Sequence, residues 1–186
     1  IGNPLSPYAI TKYVNELYAK IFSNFYGIQT IGLRYFNVYG RRQDPNGAYA
    51  AVIPKFVNKL ISLESPVING DGSYSRDFTY IDDVVQANIS CILTKNSKAI
   101  NNVYNIAYGQ RNTINDLFLH LRTYLSQYNS QISKVDVIHG PHRDGDIPHS
   151  LASVKKAKNL LNYNPKFNLK DGLKEAVRWY WENQKI

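Results

Sequence analysis

The 186-residue chain contains no methionine and only one cysteine, Cys91. A single cysteine excludes a disulfide within the chain and a structural zinc site built from several thiolates. Cys91 lies in the apolar run 87–93, so we expect a buried thiol. Because translation starts at methionine and this sequence opens at Ile1, we expect the later part of a longer protein.

Long apolar runs are also missing. No stretch reaches the roughly 18 consecutive apolar residues that a membrane-spanning helix needs, and no signal peptide is visible. We therefore predict no membrane association and a reducing, cytoplasmic location. The sequence also lacks the Gly-x-Gly-x-x-Gly fingerprint and the phosphate-binding P-loop.

Acidic residues are few, with 14 Asp and Glu against 22 Lys and Arg, for a net charge of +8. Such a surplus suits either nucleic acid or small polyanions such as phosphates. The basic residues are dispersed, and segment 76–81 lacks the Gly-containing aromatic pattern of an RNA-binding strand. We predict no nucleic-acid partner. Irregular spacing of His139, His142 and His149, without an acidic or cysteine partner, also predicts no metal site.

Helical and extended patterns alternate along the chain, which predicts an α/β fold. Ser6 and Pro7 are typical of a helix start, and Gly27 of its end. Further predicted helices cover 50–63, 82–94 and 113–127, then a short one capped by Ser153 and a last one after Asn168. Predicted strands cover 29–35, 67–69, 76–81, 103–107 and 134–139.

Tyr8 and Lys12 form the most informative pair. Residues four apart on a helix lie on the same face, one turn from each other. A nearby ammonium favours a phenolate, and lowering a tyrosine pKa from about 10 by roughly three units requires about 4 kcal/mol. In a dry site, Lys12 could supply much of that energy, so Tyr8 is a candidate general base.

With Ser6-Pro7-Tyr8 before it and Arg34-Tyr35-Phe36-Asn37-Val38-Tyr39-Gly40 after it, this pair belongs to a longer pattern. The chain resembles the extended short-chain dehydrogenase/reductases, in particular their nucleotide-sugar epimerases and dehydratases. Segment 39–54 is similar to the UDP-N-acetylhexosamine C4-epimerases, segment 70–78 to the family's substrate-binding Gly-Asp-Gly…Arg-Asp-Phe stretch, and segment 143–150 to its Arg-x-Gly-Asp motif.

The resemblance implies roles for individual residues. Tyr8 would be the catalytic base, Lys12 its partner and a ligand of the nicotinamide ribose, and the chain at Tyr35 would lie beside the nicotinamide. The implied substrate-binding residues are Asn37, Ala51, Val52, Arg76, Arg143, Asp146 and Ser150. Arg76 and Arg143 would bind phosphate and Asp146 a ribose hydroxyl, whereas a small residue at position 150 leaves room for an N-acetyl group. An alternative for Arg76 is a surface pair with Asp77 or Asp82.

The implied fold is the C-terminal part of a Rossmann-type NAD-binding fold, residues 1–40, followed by a smaller nucleotide-sugar-binding domain, residues 41–186, with segments that return to the Rossmann sheet. The implied cofactor is NAD. The implied activity is C4 epimerisation of UDP-N-acetylglucosamine and UDP-N-acetylgalactosamine for bacterial surface polysaccharides.

Another nucleotide-sugar epimerase or dehydratase, or a UDP-glucuronate-type epimerase or decarboxylase, is the alternative activity. We expect the chain alone to bind NAD poorly and to be inactive. The family usually forms homodimers through the Tyr-x-x-x-Lys helix. The face of that helix with Leu17, Ile21 and Phe25 suits either such an interface or the protein core.

Overall fold

The computed structural model describes residues 4, 6–44, 51–143 and 145–183. Its helices are α1 (Pro7–Tyr26), α2 (Val52–Ile61), α3 (Ile81–Leu93), α4 (Ile114–Leu125), α5 (Lys155–Leu161) and α6 (Leu169–Asn183). Its strands are β1 (Ile31–Tyr35), β2 (Val38–Tyr39), β3 (Val67–Asn69), β4 (Ser75–Arg76), β5 (Thr79–Tyr80), β6 (Asn102–Ile106), β7 (Asn112–Thr113) and β8 (Ile138–Gly140). Helices and strands alternate, which confirms the α/β class.

The strands form four pairs. β1 lies parallel to β6, β2 to β5 and β3 to β8, whereas β4 and β7 are antiparallel. Because β1 and β6 run in the same direction, the segments that follow Tyr35 and Ile106 leave at the same edge. This carboxyl edge is where open α/β sheets bind their ligands. The predicted boundary between two domains near residue 40 stays a prediction.

Helix ends follow the local signals in the sequence. The Ser6 hydroxyl accepts the backbone N–H of Ala9 at 3.1 Å, Pro7 occupies the first turn of α1, and Gly27 ends α1 in the left-handed conformation with φ 67°. Thr113 and Asp116 form a reciprocal capping box at the start of α4. These predicted helix starts are confirmed, because capping depends on residues only three positions apart.

Three element predictions are wrong in part. The predicted strand 76–81 is two short strands, β4 and β5, separated by Asp77 and Phe78. In the predicted strand 134–139, Lys134 is the last residue of a 3-10 helix, Ser130–Lys134, and the strand itself begins only at Ile138. The residue that precedes α5 is Val154 rather than Ser153, and no side-chain hydrogen bond caps that helix.

Two hydrophobic clusters form the core. The first contains buried residues of α2, α4 and α6 together with the aromatic rings of Tyr39, Phe78 and Tyr80. The second lies between the β1–β6 pair and helices α3 and α5. Ile81 packs against both clusters, so the start of α3 joins them. This arrangement buries most of residues 75–80, the stretch that contains the predicted substrate-binding residue Arg76.

Close backbone approach explains one glycine in α6. A Cβ at Gly172 would lie 2.1 Å from the hydroxyl oxygen of Tyr39, nearer than atoms can pack. Tyr39 is itself buried and donates its hydroxyl to the carbonyl of Leu169 at 3.3 Å. Burial raises the pKa of Tyr39 far above its usual value, so this hydroxyl stays protonated.

The expected burial of Cys91 needs correction, and the apolar face of α1, for which the sequence left core and interface open, is exposed. Cys91 is only half-buried, although its surroundings still raise the pKa of its thiol. Helix α1 has no buried residue, and Leu17, Ile21 and Phe25 are exposed by 45%, 49% and 76%. Its apolar face is therefore not part of either core cluster formed by the described residues.

Candidate functional site

The first part of the site is the opening turn of α1. Cap formation by Ser6 places Tyr8 and Lys12 on successive turns, and the Lys12 ammonium lies 5.1 Å from the centroid of the Tyr8 ring. This is the contact that a spacing of four residues predicts. The Tyr8 side chain is 69% exposed, however. The dry environment expected around the phenol is not formed by the part of the chain that the structure describes.

The end of β1 contributes Tyr35, and the segment that follows it contributes Asn37. The hydroxyl of Tyr35 donates to the side-chain oxygen of Asn88 on α3 at 3.1 Å, which fixes its ring against that helix. Asn37 has φ 38°, in the left-handed region that asparagine tolerates better than most residues. Its side-chain amide donates to the carbonyl of Asp77 at 3.0 Å, and its own carbonyl accepts the N–H of Thr79 at 3.2 Å.

Arg76 ends β4 and reaches the loop that precedes α5. Its Nη2 atom donates to the carboxylate of Asp146 at 2.5 Å, and its Nη1 atom donates to the carbonyls of Ser75 and Pro148 at 3.0 and 3.3 Å. The side chain is only 16% exposed. The predicted alternative partners are wrong, since Asp82 accepts from Arg41 at 2.8 Å and the carboxylate of Asp77 is held by backbone N–H groups.

The loop with the Arg-x-Gly-Asp motif runs beside β4. The carbonyl of Ser75 accepts the N–H of Ser150 at 3.0 Å, and the N–H of Ser75 donates to the carbonyl of Pro148 at 2.9 Å. Its hydroxyl is also 2.9 Å from Nδ1 of His149. Asp146 donates its N–H to the carbonyl of Arg143 at 3.2 Å, whereas the Arg143 side chain is exposed. These backbone bonds bring Asp146 and Ser150 next to Arg76.

The loop before α2 is described only in part. Ala51 is the residue that precedes α2, and Ala51 and Val52 are both half-buried. Residues 45–50 of the segment that resembles the C4-epimerases lie outside the described residues, as does Asp144. The roles of Ala51 and Val52 stay predictions.

The buried carboxylate of Asp77 lies at the site but was not among the residues that the sequence predicted. It is 0% exposed and accepts the backbone N–H groups of Gly109 and Ala152 at 3.1 and 3.2 Å. Burial raises the pKa of Asp77, and the backbone N–H groups around the carboxylate oppose that rise. In the sequence Asp77 lies within the Gly-Asp-Gly…Arg-Asp-Phe stretch, but an acidic residue between an arginine and an aromatic residue is equally typical of an exposed turn.

Hydrogen bonds thus link four predicted residues, Asn37, Arg76, Asp146 and Ser150, into one network through segment 75–77. Tyr8 and Lys12 lie instead on α1, which is joined to β1 by the ion pair between Glu16 and Arg34 at 2.6 Å. A guanidinium fork with neighbouring polar groups at the carboxyl edge of a parallel strand pair is chemically suited to a diphosphate.

The described residues form neither a metal site nor a membrane-spanning helix. They contain no group of three His, Cys, Asp or Glu side chains arranged to hold a metal ion. His139 bonds the carbonyl of Gly70 at 2.8 Å, and the ring of His142 lies 5.4 Å from that of Tyr74. Among the described helices, none combines the length and the hydropathy needed to cross a bilayer.

Comparison with known proteins identifies the family. The model of the NAD dependent epimerase/dehydratase family matches residues 1–107. The chain belongs to this family. It spans about half the length of the curated relatives it matches, between 52% and 56% for three of them. The family is NAD dependent, and the solved structures similar to this chain are of the Rossmann type.

Three solved structures of the family show the similarity. The UDP-N-acetylglucosamine 4-epimerase of Methanobrevibacter ruminantium, in complex with UDP-N-acetylmuramic acid, is 41% identical with a TM-score of 0.88, over 98% of this chain and 56% of its own. The UDP-glucose 4-epimerase of Thermotoga maritima, with UDP-glucose, is 38% identical with a TM-score of 0.87, over 97% of this chain and 55% of its own. The UDP-glucuronic acid 4-epimerase of Bacillus cereus, with UDP-glucuronic acid and NAD, is 29% identical with a TM-score of 0.84, over 98% of this chain and 55% of its own.

Proposed function

We propose that this chain carries the catalytic tyrosine and most of the nucleotide-sugar contacts of an NAD-dependent 4-epimerase. The proposed substrates are UDP-N-acetylglucosamine and UDP-N-acetylgalactosamine. The observation that supports the proposal most directly is the network of Asn37, Arg76, Asp146 and Ser150 at the carboxyl edge of the β1–β6 pair. Its donors and acceptors match the parts of a UDP-sugar: a diphosphate, a ribose and a sugar ring.

The diphosphate would bind Arg76 and Asn37, and Arg143, whose carbonyl accepts the N–H of Asp146, would reach it from the loop before α5. A guanidinium donates in a planar fork that suits phosphate oxygens. Asp146 would accept a ribose hydroxyl. Anchoring the nucleotide at one end leaves the sugar free to turn, so that either face of C4 can be presented to the cofactor without loss of the substrate.

Tyr8 and Lys12 would act at the sugar carbon. Tyr8 would take the proton of the 4-hydroxyl and later return it, while the Lys12 ammonium, 5.1 Å from the centroid of the Tyr8 ring, would stabilise the phenolate. Bound NAD supplies the chemistry of hydride removal from C4 and its return. The phenol and ammonium on one helix face are groups that can hydrogen-bond a nicotinamide ribose, so these residues fit the cofactor at that end.

The half-exposed Ser150 supports the choice of N-acetylated sugars. Its backbone N–H is fixed on Ser75, so the small side chain stands at a defined position beside Arg76. A small residue there leaves space that a larger side chain would fill. The similarity to an UDP-N-acetylglucosamine 4-epimerase at 41% identity supports the same choice.

The apolar face of α1 supports a homodimer as the working form. Leu17, Ile21 and Phe25 are exposed, and a patch of this kind on a helix is typical of a protein interface. Sedimentation of the full-length enzyme would test this assembly.

A direct assay tests the activity. The full-length enzyme would be incubated with UDP-N-acetylglucosamine, and the sugar nucleotides would be separated and identified. We expect UDP-N-acetylgalactosamine to form, with no net oxidation of the cofactor. Release of a 4-keto-6-deoxy sugar would instead identify a dehydratase, and conversion of UDP-glucuronate alone would identify the second alternative.

A further inference from the structure

Asp77 presents an unusual environment for a carboxylate. It is completely buried, and among the described residues no Lys or Arg side chain forms an ion pair with it. Its two oxygens instead accept backbone N–H groups, from Gly109 at 3.1 Å to each oxygen and from Ala152 at 3.2 Å. A buried carboxylate without a counter-ion is costly, so these hydrogen bonds are what makes the position tolerable.

The bonds of Asp77 join three separate segments. Gly109 follows β6, Ala152 lies two residues after Ser150, and the carbonyl of Asp77 accepts the side-chain amide of Asn37 at 3.0 Å. Arg76 is its neighbour in the chain. Asp77 is therefore close to every residue of the proposed nucleotide-sugar network. Asn37 is hydrogen-bonded to it, Ser150 lies two residues before its partner Ala152, and Asp146 is linked to it through Arg76.

We propose that Asp77 is the positioning residue of the nucleotide-sugar site, a role that rests on the proposed function. Its carboxylate holds the end of β4, the segment after β6 and the loop before α5 together through hydrogen bonds. These bonds fix the positions of Asn37, Arg76 and Ser150. Asp77 would touch neither substrate nor cofactor, because its oxygens are enclosed and occupied by backbone N–H groups.

A second buried carboxylate offers a matched control. Asp83 is 2% exposed and accepts the backbone N–H groups of Lys166 and Phe167 at 2.8 and 3.1 Å. Burial raises its pKa in the same direction as that of Asp77. Its bonds join α3 to the segment before α6, and they include no residue of the proposed site. Both aspartates are therefore buried carboxylates that accept backbone N–H groups, but only Asp77 is bonded to segments of the proposed site.

The experiment compares Asp77→Asn with Asp83→Asn. In each variant the amide has only one acceptor oxygen where the carboxylate had two, and its NH₂ group faces a backbone N–H donor. We expect a lower melting temperature in both variants. UDP binding to the full-length enzyme, measured by calorimetry well below both melting temperatures, should differ. We expect Asp77→Asn to weaken UDP binding by about tenfold or more, since a small misplacement of contacts can cost that much. We expect Asp83→Asn to change it by less than about twofold.

A second readout does not depend on UDP. The side-chain amide signals of Asn37 and the backbone amide signal of Ser150 should shift in the NMR spectrum of Asp77→Asn and stay in place in Asp83→Asn. Equal loss of UDP affinity in both variants, or unaltered Asn37 and Ser150 signals in Asp77→Asn, would overturn the positioning role. If the unmodified full-length enzyme binds no UDP, the proposed substrate site fails, and the NMR comparison alone decides the role of Asp77.

Discussion

Arg76 donates to Asp146 across 70 residues of sequence, with 2.5 Å between Nη2 of the guanidinium and Oδ1 of the carboxylate. The carbonyls of Ser75 and Pro148 take further N–H groups of the same side chain. Three acceptors on one guanidinium leave it little freedom, so its direction is set before any ligand arrives. A preorganised donor loses less conformational entropy on binding than a mobile one.

Replacement of this arginine tests its role toward phosphate. Arg76→Gln should weaken UDP binding by about 10-fold to 100-fold, because hydrogen bonds to charged groups contribute about 1.5–3 kcal/mol. Binding of uridine, which has no phosphate, should fall far less, because Arg76→Gln affects it only through the release of Asp146. Calorimetric titration with both ligands measures the difference. Arg178→Gln is the control, since Arg178 forms a similar pair with Glu175 at 2.9 Å on an exposed part of α6. Equal losses for UDP and uridine would show a general disruption instead of a lost phosphate contact.

Removal of the Tyr8 hydroxyl tests the proposed base. In the full-length enzyme, Tyr8→Phe should lower kcat by at least about 100-fold, the usual contribution of a positioned general base, with a modest change in UDP-sugar affinity. Tyr18→Phe is the matched control, because Tyr18 lies on the same helix and is 62% exposed. Epimerisation rates and equilibrium binding of UDP-N-acetylglucosamine would be measured for both. Near-normal turnover in Tyr8→Phe would remove this tyrosine from the chemistry.

Enlargement of residue 150 tests sugar selection. Ser150→Tyr should reduce kcat/KM for UDP-N-acetylglucosamine by at least about tenfold more than for UDP-glucose, since the added ring would fill the space proposed for the acetyl group. Ser153→Tyr controls for a bulky residue on the same stretch, at an exposed position. Parallel losses on both sugars in Ser150→Tyr would contradict the steric interpretation.

The capping box of α4 predicts a pH-dependent stability. The Thr113 hydroxyl donates to the Asp116 carboxylate at 2.7 Å, and this bond is the main reason that the pKa of Asp116 lies below its usual value. The folded state then binds fewer protons than the unfolded state, so this contribution is present at neutral pH and is lost as pH falls below about 4.

Thr113→Ala should accordingly lower the free energy of unfolding by about 1 kcal/mol at neutral pH, and the difference should shrink toward pH 3. Thr113→Ser keeps the hydroxyl and should stay close to the unmodified chain at both values. Urea unfolding at a series of pH values measures all three. A difference that stays constant down to pH 3 would show that Asp116 is not part of the effect.

The helix ends could be predicted because they depend on local signals in the sequence. Ser6 with Pro7, Gly27 and Thr113 mark helix ends where predicted, because each cap involves hydrogen bonds between residues at most four apart. The contact of Lys12 with the Tyr8 ring follows from helical periodicity in the same way.

The errors arise where distant segments compete with local pattern. Residues 76–81 alternate like one strand, but the Asp77 carboxylate turns inward to the N–H groups of Gly109 and Ala152, and the strand divides there. Segment 134–139 likewise becomes extended only where β8 meets β3. Neither partner is visible from a short window of sequence.

The amino-acid sequence by itself determined the α/β class, the helix ends, the tyrosine–lysine pair and the residues that carry the family resemblance. Only the tertiary structure decided that Arg76 meets Asp146, that Asp77 is enclosed, and that α1 keeps its apolar face outside both core clusters. The physical reason is range. Capping and helical spacing are set within a few bonds of the chain, whereas these contacts depend on which strands pair and which surfaces are buried, and both are fixed only when the whole chain packs.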